Sequence, residues 1–304
     1  MLWSSLIWPG TMLASRRTLR PRPLEAHSAS HEPGGQTPTR SVGSAVTGSD
    51  DAIAADITTE ALRLTGRIVA AKRQIRLMGG AAVWLVAPSV RQPPYARPYG
   101  DLDFAASGSD RKGTGAFFEA AGYVPEKLFN AIHGATRLNY RHPDGSWTID
   151  VLFDRLEMSH TIDLKGRMAG PGPTLDLADL LLTKLQIWEI NRKDLGDIVC
   201  LLADSDVGGA RRDDGSPAID LGRIVDLTRA DWGLCHTVER NLRRAAQQAT
   251  AEPPTAGRHD PVAAVASILA AIEASPKTTG WRLRARVGER TRWYETPEEV
   301  RHQG

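Results

Sequence analysis

Three aspartates occupy positions from which their carboxylates can meet. Asp101 and Asp103 flank a leucine in the run Gly-Asp-Leu-Asp-Phe, and Asp150 lies within a second apolar run, Trp-Thr-Ile-Asp-Val-Leu-Phe. Alternate residues of a β-strand point to the same face, so Asp101 and Asp103 share one face if their segment is a strand. Asp150 joins them if its own strand pairs beside theirs. Converging carboxylates bind divalent cations, and a pair of Mg²⁺ ions suits in-line displacement at phosphorus.

A glycine pair, Gly79 and Gly80, precedes these acids and follows the short apolar run Ile75–Met78. Glycine lets a phosphate approach the backbone, and free N–H groups at a helix start attract such an anion. A tight turn between a strand and a helix would require the same pair without binding anything. Solvated acids on an exposed strand edge are the corresponding alternative for the aspartates. The combination of three acids with a glycine turn favours a metal and phosphate site over these alternatives.

Two apolar segments further along the chain carry charged residues. Lys184 lies between Leu182 and Leu185, and a lysine in an apolar helix either pairs with an anion or extends its amine to the surface. Asp194 and Asp197 are three residues apart, which places both on one face of a helix. They either belong to the site or form an ordinary solvated face. The pattern alone leaves these alternatives open.

These motifs, in this order, resemble the nucleotidyltransferase superfamily of the DNA polymerase β type: a Gly-Gly turn, a spacer, Asp-Leu-Asp-Phe and a distant aspartate in a hairpin strand. The segments Leu181–Gln186 and Asn191–Ile198 are similar to helical motifs of the AbiEii-like and MenT-like branch, which includes toxins of toxin–antitoxin pairs. The resemblance covers residues 65–205 and, less specifically, the helical remainder. The spacer between Gly80 and Asp101 departs from the family because it is long and rich in proline, which leaves the nucleotide preference open.

The resemblance implies a role for the glycine turn and for the acids. Gly79 and Gly80 would hold the triphosphate of an incoming NTP. The carboxylates that would bind Mg²⁺, as two ions, are those of Asp101, Asp103 and Asp150.

It also implies roles in the helical motifs. Lys184 would contact the phosphates and take part in catalysis. Asp194 and Asp197 match the acids of the last motif and would lie at the nucleotide, where one of them would position or deprotonate the acceptor. Arg97 resembles an arginine that leads into the Asp-x-Asp motif of the family.

Local patterns predict the elements that position these residues. Their order is α-β-α-β-α-β-β followed by helices, which is typical of an α+β fold, and the resemblance adds a mixed sheet of the nucleotidyltransferase type with flanking helices and a helical C-terminal domain. The alternating runs 137–141 and 147–153 enclose an Asp-Gly turn and predict a β-hairpin that carries Asp150. We expect a disordered leader at 1–50, an α+β domain at 51–165, a helical domain at 174–280 and a basic aromatic tail at 281–304.

Helix boundaries follow from apolar spacing and from prolines and glycines. An amphipathic helix is predicted over 52–74, one long apolar helix over 175–190, and a second over 193–203. The tail alternates arginines with apolar residues and contains Trp293 and Tyr294. Arginine with aromatic residues suits RNA contact, but we favour an edge hairpin packed on the helical domain.

Composition bounds the class of protein. The chain has 304 residues, of which 41% are hydrophobic and 24% charged, with a formal net charge of +2, so no global charge indicates a polyanion partner. Cys200 and Cys235 provide neither a disulfide framework nor a zinc motif, which fits a reducing cytosol. No apolar run is long enough to span a bilayer. We therefore expect a cytoplasmic protein without a membrane partner.

The motifs together predict a Mg²⁺-dependent nucleotidyltransferase, which moves a nucleoside monophosphate from an NTP to an acceptor hydroxyl. The acceptor would be RNA or tRNA, as in the toxin–antitoxin enzymes, and a protein antitoxin would then be a partner. One alternative is an antibiotic adenylyltransferase of the aminoglycoside type, which acts on a small hydroxylated acceptor. The other is a catalytically silent nucleotidyltransferase fold that serves as a binding module.

Overall fold

The computed structural model describes residues 52–211 and 215–296. The predicted leader at 1–50 and the end of the predicted tail lie outside the described residues.

A five-stranded mixed sheet forms the centre of the N-terminal half. Its strands are β1 (Ile75–Met78), β2 (Asp101–Ala106), β3 (Val124–Pro125), β4 (Arg137–Arg141) and β5 (Thr148–Phe153), in the spatial order β1-β2-β5-β4-β3. β2 and β5 are parallel, and the other neighbours are antiparallel. The β4–β5 hairpin confirms the prediction from the Asp-Gly turn. The mixed sheet with its helices confirms the α+β fold class.

Four helices flank this sheet: α1 (Ile57–Ala70), α2 (Gly79–Val86), α3 (Arg111–Ala120) and α4 (Lys127–His133). The prediction placed the first helix over 52–74, which is too long. The Asp56 side chain accepts hydrogen bonds from the N–H groups of Thr58 and Thr59, at 3.1 and 2.9 Å, and so caps α1. An N-cap residue has non-helical backbone angles, and the helix therefore begins after Asp56.

The C-terminal half is mainly helical. It contains two short pairings, β6 (Arg155–Glu157) with β7 (Thr161–Asp163) and β8 (Val207–Gly208) with β9 (Ile219–Asp220). The helices are α5 (Leu177–Leu185), α6 (Arg192–Asp204), α7 (Leu221–Ala230), α8 (Trp232–Ala251), α9 (Pro261–Ala274) and α10 (Thr279–Val287). The predicted helix over 175–190 is too long, because α5 ends at Leu185. The second predicted helix, over 193–203, corresponds to α6, which Asn191 caps by accepting from the Asp194 N–H at 3.0 Å.

The sheet and the helices share one hydrophobic core. The described residues, 52–211 and 215–296, form one compact unit, and the same apolar cluster includes Leu77 of β1, Leu181 of α5 and Leu242 of α8. Both cysteines are buried within it as free thiols. Within the described ranges, no helix combines the length and the apolar character needed to cross a bilayer.

The tail is a helix followed by an extended segment, so the predicted edge hairpin is wrong. After α10, the Tyr294 ring stacks on Trp188 with a centroid distance of 4.8 Å, and the Trp293 ring meets Trp188 edge-on at 4.9 Å. The guanidinium of Arg240 lies 4.1 Å from the Trp188 ring centroid. These aromatic faces are covered by protein groups, because the tail packs against the helices rather than standing free.

Candidate active site

The register of β2 and β5 brings the predicted acids to one face of the sheet. Asp103 lies opposite Asp150 in the parallel pair, and Asp101 lies two residues before Asp103 on the same face. The residues between them face the other way into the core, where Leu102 and Ile149 have no exposed surface. Asp101 is exposed, whereas Asp103 and Asp150 are half-buried. The expected pairing of the two acid-bearing strands is therefore present.

The Gly79 turn borders the same acids. Met78, the last residue of β1, lies opposite Asp103 in the antiparallel pair. Gly79 has a φ of +67°, and a Cβ at this position would lie 2.0 Å from Oδ2 of Asp103. A residue with a side chain is excluded there by both the left-handed backbone and the lack of space. The Asp103 carboxylate thus lies directly against the start of α2.

The start of α2 has no side-chain cap among the described residues, and its N-cap residue is Met78. The first N–H groups of a helix have no partner within it and carry the positive end of the helix dipole. Such a helix start can bind phosphate oxygens. Gly80 is partly covered, because a Cβ there would lie 2.7 Å from Nη2 of Arg97.

Asp103 is the acid whose protonation is most affected by its surroundings. Burial, followed by the negative charges of Asp101 and Asp150, raises the pKa of Asp103 to about 7, and the positive charges of Lys184 and Arg137 only partly oppose this. Keeping neighbouring carboxylates ionised costs free energy when no cation compensates them. The site therefore favours either a proton or a cation at Asp103.

Asp150 is held by an arginine that sequence reasoning missed. Nε of Arg137 donates to Oδ1 and Oδ2 of Asp150 at 2.7 and 2.9 Å, and Nη2 also donates to Oδ2. Arg137 lies opposite Leu152 in the β4–β5 pair, while Asp150 lies opposite Asn139. Diagonal neighbours on one face of antiparallel strands are within reach of a long side chain. The hairpin pattern contained this signal, since its register places Arg137 diagonal to Asp150.

The donor set suits Mg²⁺, although the side chains do not form a finished metal site. Mg²⁺ prefers oxygen ligands, and three carboxylates from two adjacent strands supply them. In the part of the chain that the structure describes, no three His, Cys, Asp or Glu side chains are grouped so as to hold a metal ion. The Asp150 carboxylate turns to Arg137, and the Asp103 carboxylate lies against Gly79. At Asp150 a metal ion would share a carboxylate oxygen with the guanidinium of Arg137, and the two positive charges would repel each other.

The predicted helical residues form a buried ionic cluster. Nζ of Lys184 on α5 lies 2.7 Å from Oδ1 of Asp194 and 3.1 Å from Oδ2 of Asp197, both on α6. Asp197 is fully buried and also accepts from Nη2 of Arg97 at 2.9 Å through both of its oxygens. Lys184 therefore pairs with acids instead of extending to the surface, and the alternative of a solvated face for Asp194 and Asp197 is wrong.

The charges in this cluster stabilise one another. Burial would lower the pKa of Lys184, but the carboxylates of Asp197 and Asp194 outweigh that effect and hold this pKa above its usual value. Arg97 behaves in the same way beside Asp197, which raises its pKa against the effect of burial. Lys184 and Arg97 both remain charged, and Lys184 contributes positive potential at Asp103.

Tyr99 is a second residue that sequence reasoning did not identify. The guanidinium of Arg97 lies 4.4 Å from the centroid of the Tyr99 ring, and both side chains cover Gly80. The Tyr99 hydroxyl and Nε of Arg97 are buried without a hydrogen-bond partner. Burial raises the pKa of Tyr99 to about 12. Unpaired buried donors are costly, and these two lie beside the glycine turn. The sequence offered no signal for Tyr99 beyond its position in the proline-rich spacer.

Comparisons with known proteins identify no family. No family model matches the chain, and no curated protein matches it. Among solved structures, the chain is similar to an antigenic nucleotidyltransferase-like protein from Paracoccidioides brasiliensis, with 14% sequence identity and a TM-score of 0.36. That match covers 73% of this chain and 94% of the other. A likeness this distant assigns neither a family nor an activity.

Proposed function

We propose that the protein is a Mg²⁺-dependent nucleotidyltransferase, which moves a nucleoside monophosphate from an NTP to an acceptor hydroxyl and releases pyrophosphate. The observation that carries this proposal is the register of β2 and β5, which sets Asp103 beside Asp150 with Asp101 on the same face. The turn at Gly79 adds uncapped helix N–H groups next to these carboxylates. Acids for a cation and donors for phosphate thus meet at one edge of the sheet.

The three aspartates would hold Mg²⁺, which when bound supplies charge neutralisation for a phosphoryl group in transfer. The N–H groups at the start of α2 would bind phosphate oxygens of the NTP and orient them toward Asp103. The buried donors of Arg97 and Tyr99 above Gly80 provide further partners for such a group. The contribution of the protein is therefore positioning and electrostatic stabilisation.

The buried cluster on α5 and α6 would support these steps. Lys184 would add positive potential at the phosphates while its amine stays bound to Asp194 and Asp197. Solvent reaches Asp194, whereas Asp197 is fully buried. Asp194 is accordingly the acid that would position the acceptor hydroxyl, and Asp197 would hold Lys184 and Arg97 in place.

The proposal also concerns the identity of the acceptor. RNA, including tRNA, is the acceptor class that the resemblance to the AbiEii-like branch implies, and a protein antitoxin would be the corresponding partner. A small hydroxylated acceptor is the alternative. Incubation with each NTP in turn, labelled at the α-phosphate, with Mg²⁺ and total RNA shows which pool becomes labelled. We expect one NTP to label RNA, and the same NTP labelled at the γ-phosphate to release its label as pyrophosphate.

Matched substitutions test the catalytic site itself. Asp101→Asn and Asp103→Asn keep the size of each side chain and remove its charge, and each is expected to abolish transfer. Asp226→Asn is a suitable control, because Asp226 lies exposed on α7 and, among the described residues, pairs only with Arg229 at 3.7 Å. Transfer that persists in both site variants, or label that arrives from the γ-position, would contradict the proposal.

A further inference from the structure

A cavity of about 410 Å³ has Arg137, the hydrogen-bond partner of Asp150, in its lining. Its lining includes the start of β4, the end of β5 and the β6–β7 hairpin. Four cationic side chains line it: Arg111, Arg137, Arg155 and Lys165. Arg137 therefore belongs both to this cavity and to the ion pair with Asp150.

Two of these cations have no partner within the described part of the protein. The side chains of Arg155 and Lys165 are exposed and form neither an ion pair nor a hydrogen bond with another described residue. Three carboxylates also line the cavity. One of them, Asp154, accepts from the Gly108 N–H at 2.9 Å. The cavity thus combines free positive groups with acceptors, which suits a ligand that carries both a phosphate and hydroxyl groups.

The guanidinium of Arg137 lies between the Asp150 carboxylate and the cavity, and it can bind a group on either side. The guanidinium lies 5.7 Å from the centroid of the Phe129 ring, and its side chain is 36% exposed. On one side it donates to both oxygens of Asp150. On the other side it faces the cavity. Arginine binds carboxylate and phosphate with the same two-pronged geometry, so both groups are suitable partners.

A cation at Asp150 competes directly with Arg137. Each oxygen of Asp150 now accepts from Arg137, and a metal ion would share at least one of them with the guanidinium. Two positive charges on one half-buried carboxylate repel each other. The guanidinium would then lose its partner, and a half-buried arginine without one is costly.

We propose that Arg137 is a positioning residue that exchanges Asp150 for a phosphate group of the acceptor in this cavity. Metal binding at Asp150 frees Arg137, and a phosphate in the cavity draws it away from Asp150. Each ligand therefore increases the affinity of the protein for the other, since such coupling is reciprocal. The inference rests on the proposed function and names the chemistry of its acceptor as phosphate-bearing.

The test measures Mn²⁺ affinity, with free Mn²⁺ followed by electron paramagnetic resonance, in chloride and in sulfate at equal ionic strength. Sulfate stands in for the acceptor phosphate. For the wild-type protein we expect several-fold tighter Mn²⁺ binding in sulfate. Arg137→Met should bind Mn²⁺ about tenfold more tightly in chloride, because a charge-assisted pair no longer competes. Its Mn²⁺ affinity should be the same in sulfate as in chloride.

Two further variants separate Arg137 from general charge effects. Arg141→Met removes an arginine from the same strand, where its partner is Glu126 at 3.1 Å, and should behave as the wild type does. The double variant Arg155→Gln with Lys165→Gln changes exposed side chains only. It should keep the Mn²⁺ affinity in chloride and lose the gain in sulfate.

The outcomes distinguish the inference from the function on which it rests. Equal Mn²⁺ affinity of Arg137→Met and the wild type, or a sulfate gain that survives in Arg137→Met, overturns the role of Arg137 and leaves the metal site intact. Absence of Mn²⁺ binding in the wild type and in folded Arg137→Met overturns the proposed metal site, and the exchange with it.

Discussion

Replacing Asp103 with asparagine removes a carboxylate that the metal-free fold keeps partly away from water. Burial, and then the charges of Asp101 and Asp150, raise the pKa of Asp103 from 3.8 to about 7. Because the folded-state pKa lies above the unfolded value, the folded protein binds more protons between these two values. Its stability therefore falls as the pH rises from about 4 to about 7. Asparagine is neutral at every pH and does not carry this cost.

The size of the effect follows from the pKa difference. One pKa unit corresponds to about 1.4 kcal/mol, so the cost accumulated between pH 5 and pH 7 is about 3 kcal/mol at most. Asp103 is half-buried and not enclosed, and residual hydration reduces this figure. We expect the advantage of Asp103→Asn in free energy of unfolding to grow by about 1 to 3 kcal/mol between pH 5 and pH 8.

The assay is urea unfolding of both proteins with EDTA at pH 5, 6, 7 and 8. Taking the difference at each pH cancels the titration of groups that do not interact with Asp103. Asp101→Asn is the graded control, since Asp101 is exposed and affects stability mainly by repelling Asp103. Its gain in free energy of unfolding between pH 5 and pH 8 should be smaller than that of Asp103→Asn. Replacing EDTA with Mg²⁺ at pH 8 should stabilise the wild type and leave Asp103→Asn unchanged. A difference between Asp103→Asn and the wild type that is independent of pH would refute the reasoning.

Five other substitutions, one of them a control, test parts of the same framework by urea unfolding. Gly79→Ala should lower the free energy of unfolding by about 2 kcal/mol or more, because of its positive φ and the missing space. Gly66→Ala, within α1 and with no atom near its added Cβ, should be neutral or slightly stabilising. Asp197→Asn should lower the free energy of unfolding by about 3 kcal/mol. In that variant, Lys184→Met should lower the free energy of unfolding by less than it does in the wild type. Trp293→Ala should cost about 2 kcal/mol and leave Mn²⁺ affinity unchanged.

Short-range patterns predicted much of the secondary structure. The strand Ile75–Met78 coincides with the short apolar run before the glycine pair, and the helix Pro261–Ala274 has clear local start signals. In the first, glycine follows the apolar run, and in the second Asp260 caps the helix and proline occupies its first turn. The prediction failed at helix ends. Asp56 caps α1 later than the predicted start at 52. The apolar spacing of the run 175–190 is continuous, yet α5 ends at Leu185.

The partners of the charged residues were less accessible to sequence reasoning. The alternation of Asp-Leu-Asp indicated which residues share a face. It did not indicate that Arg137 would form an ion pair with Asp150. Lys184 required a partner because it lies in an apolar helix. The identity of that partner, two acids on the next helix, depended on how α5 and α6 pack. For the aromatic tail, the sequence favoured packing on the helical domain, and its rings do pack there, but as a helix and an extended segment instead of a hairpin.

By itself, the sequence determined the local geometry of the site. Alternate residues of a strand face the same side, which puts Asp101 and Asp103 on one strand face. Gly79 adopts a left-handed backbone conformation that residues with a side chain rarely adopt. Only the tertiary structure decided that β5 lies beside β2, so that Asp150 joins them, and that Arg137 and the cavity lie next to it. The physical reason is that local preferences involve neighbours a few residues apart. Strand order and ion pairing depend instead on the packing of segments far apart in the chain, where many pairings satisfy the same local pattern.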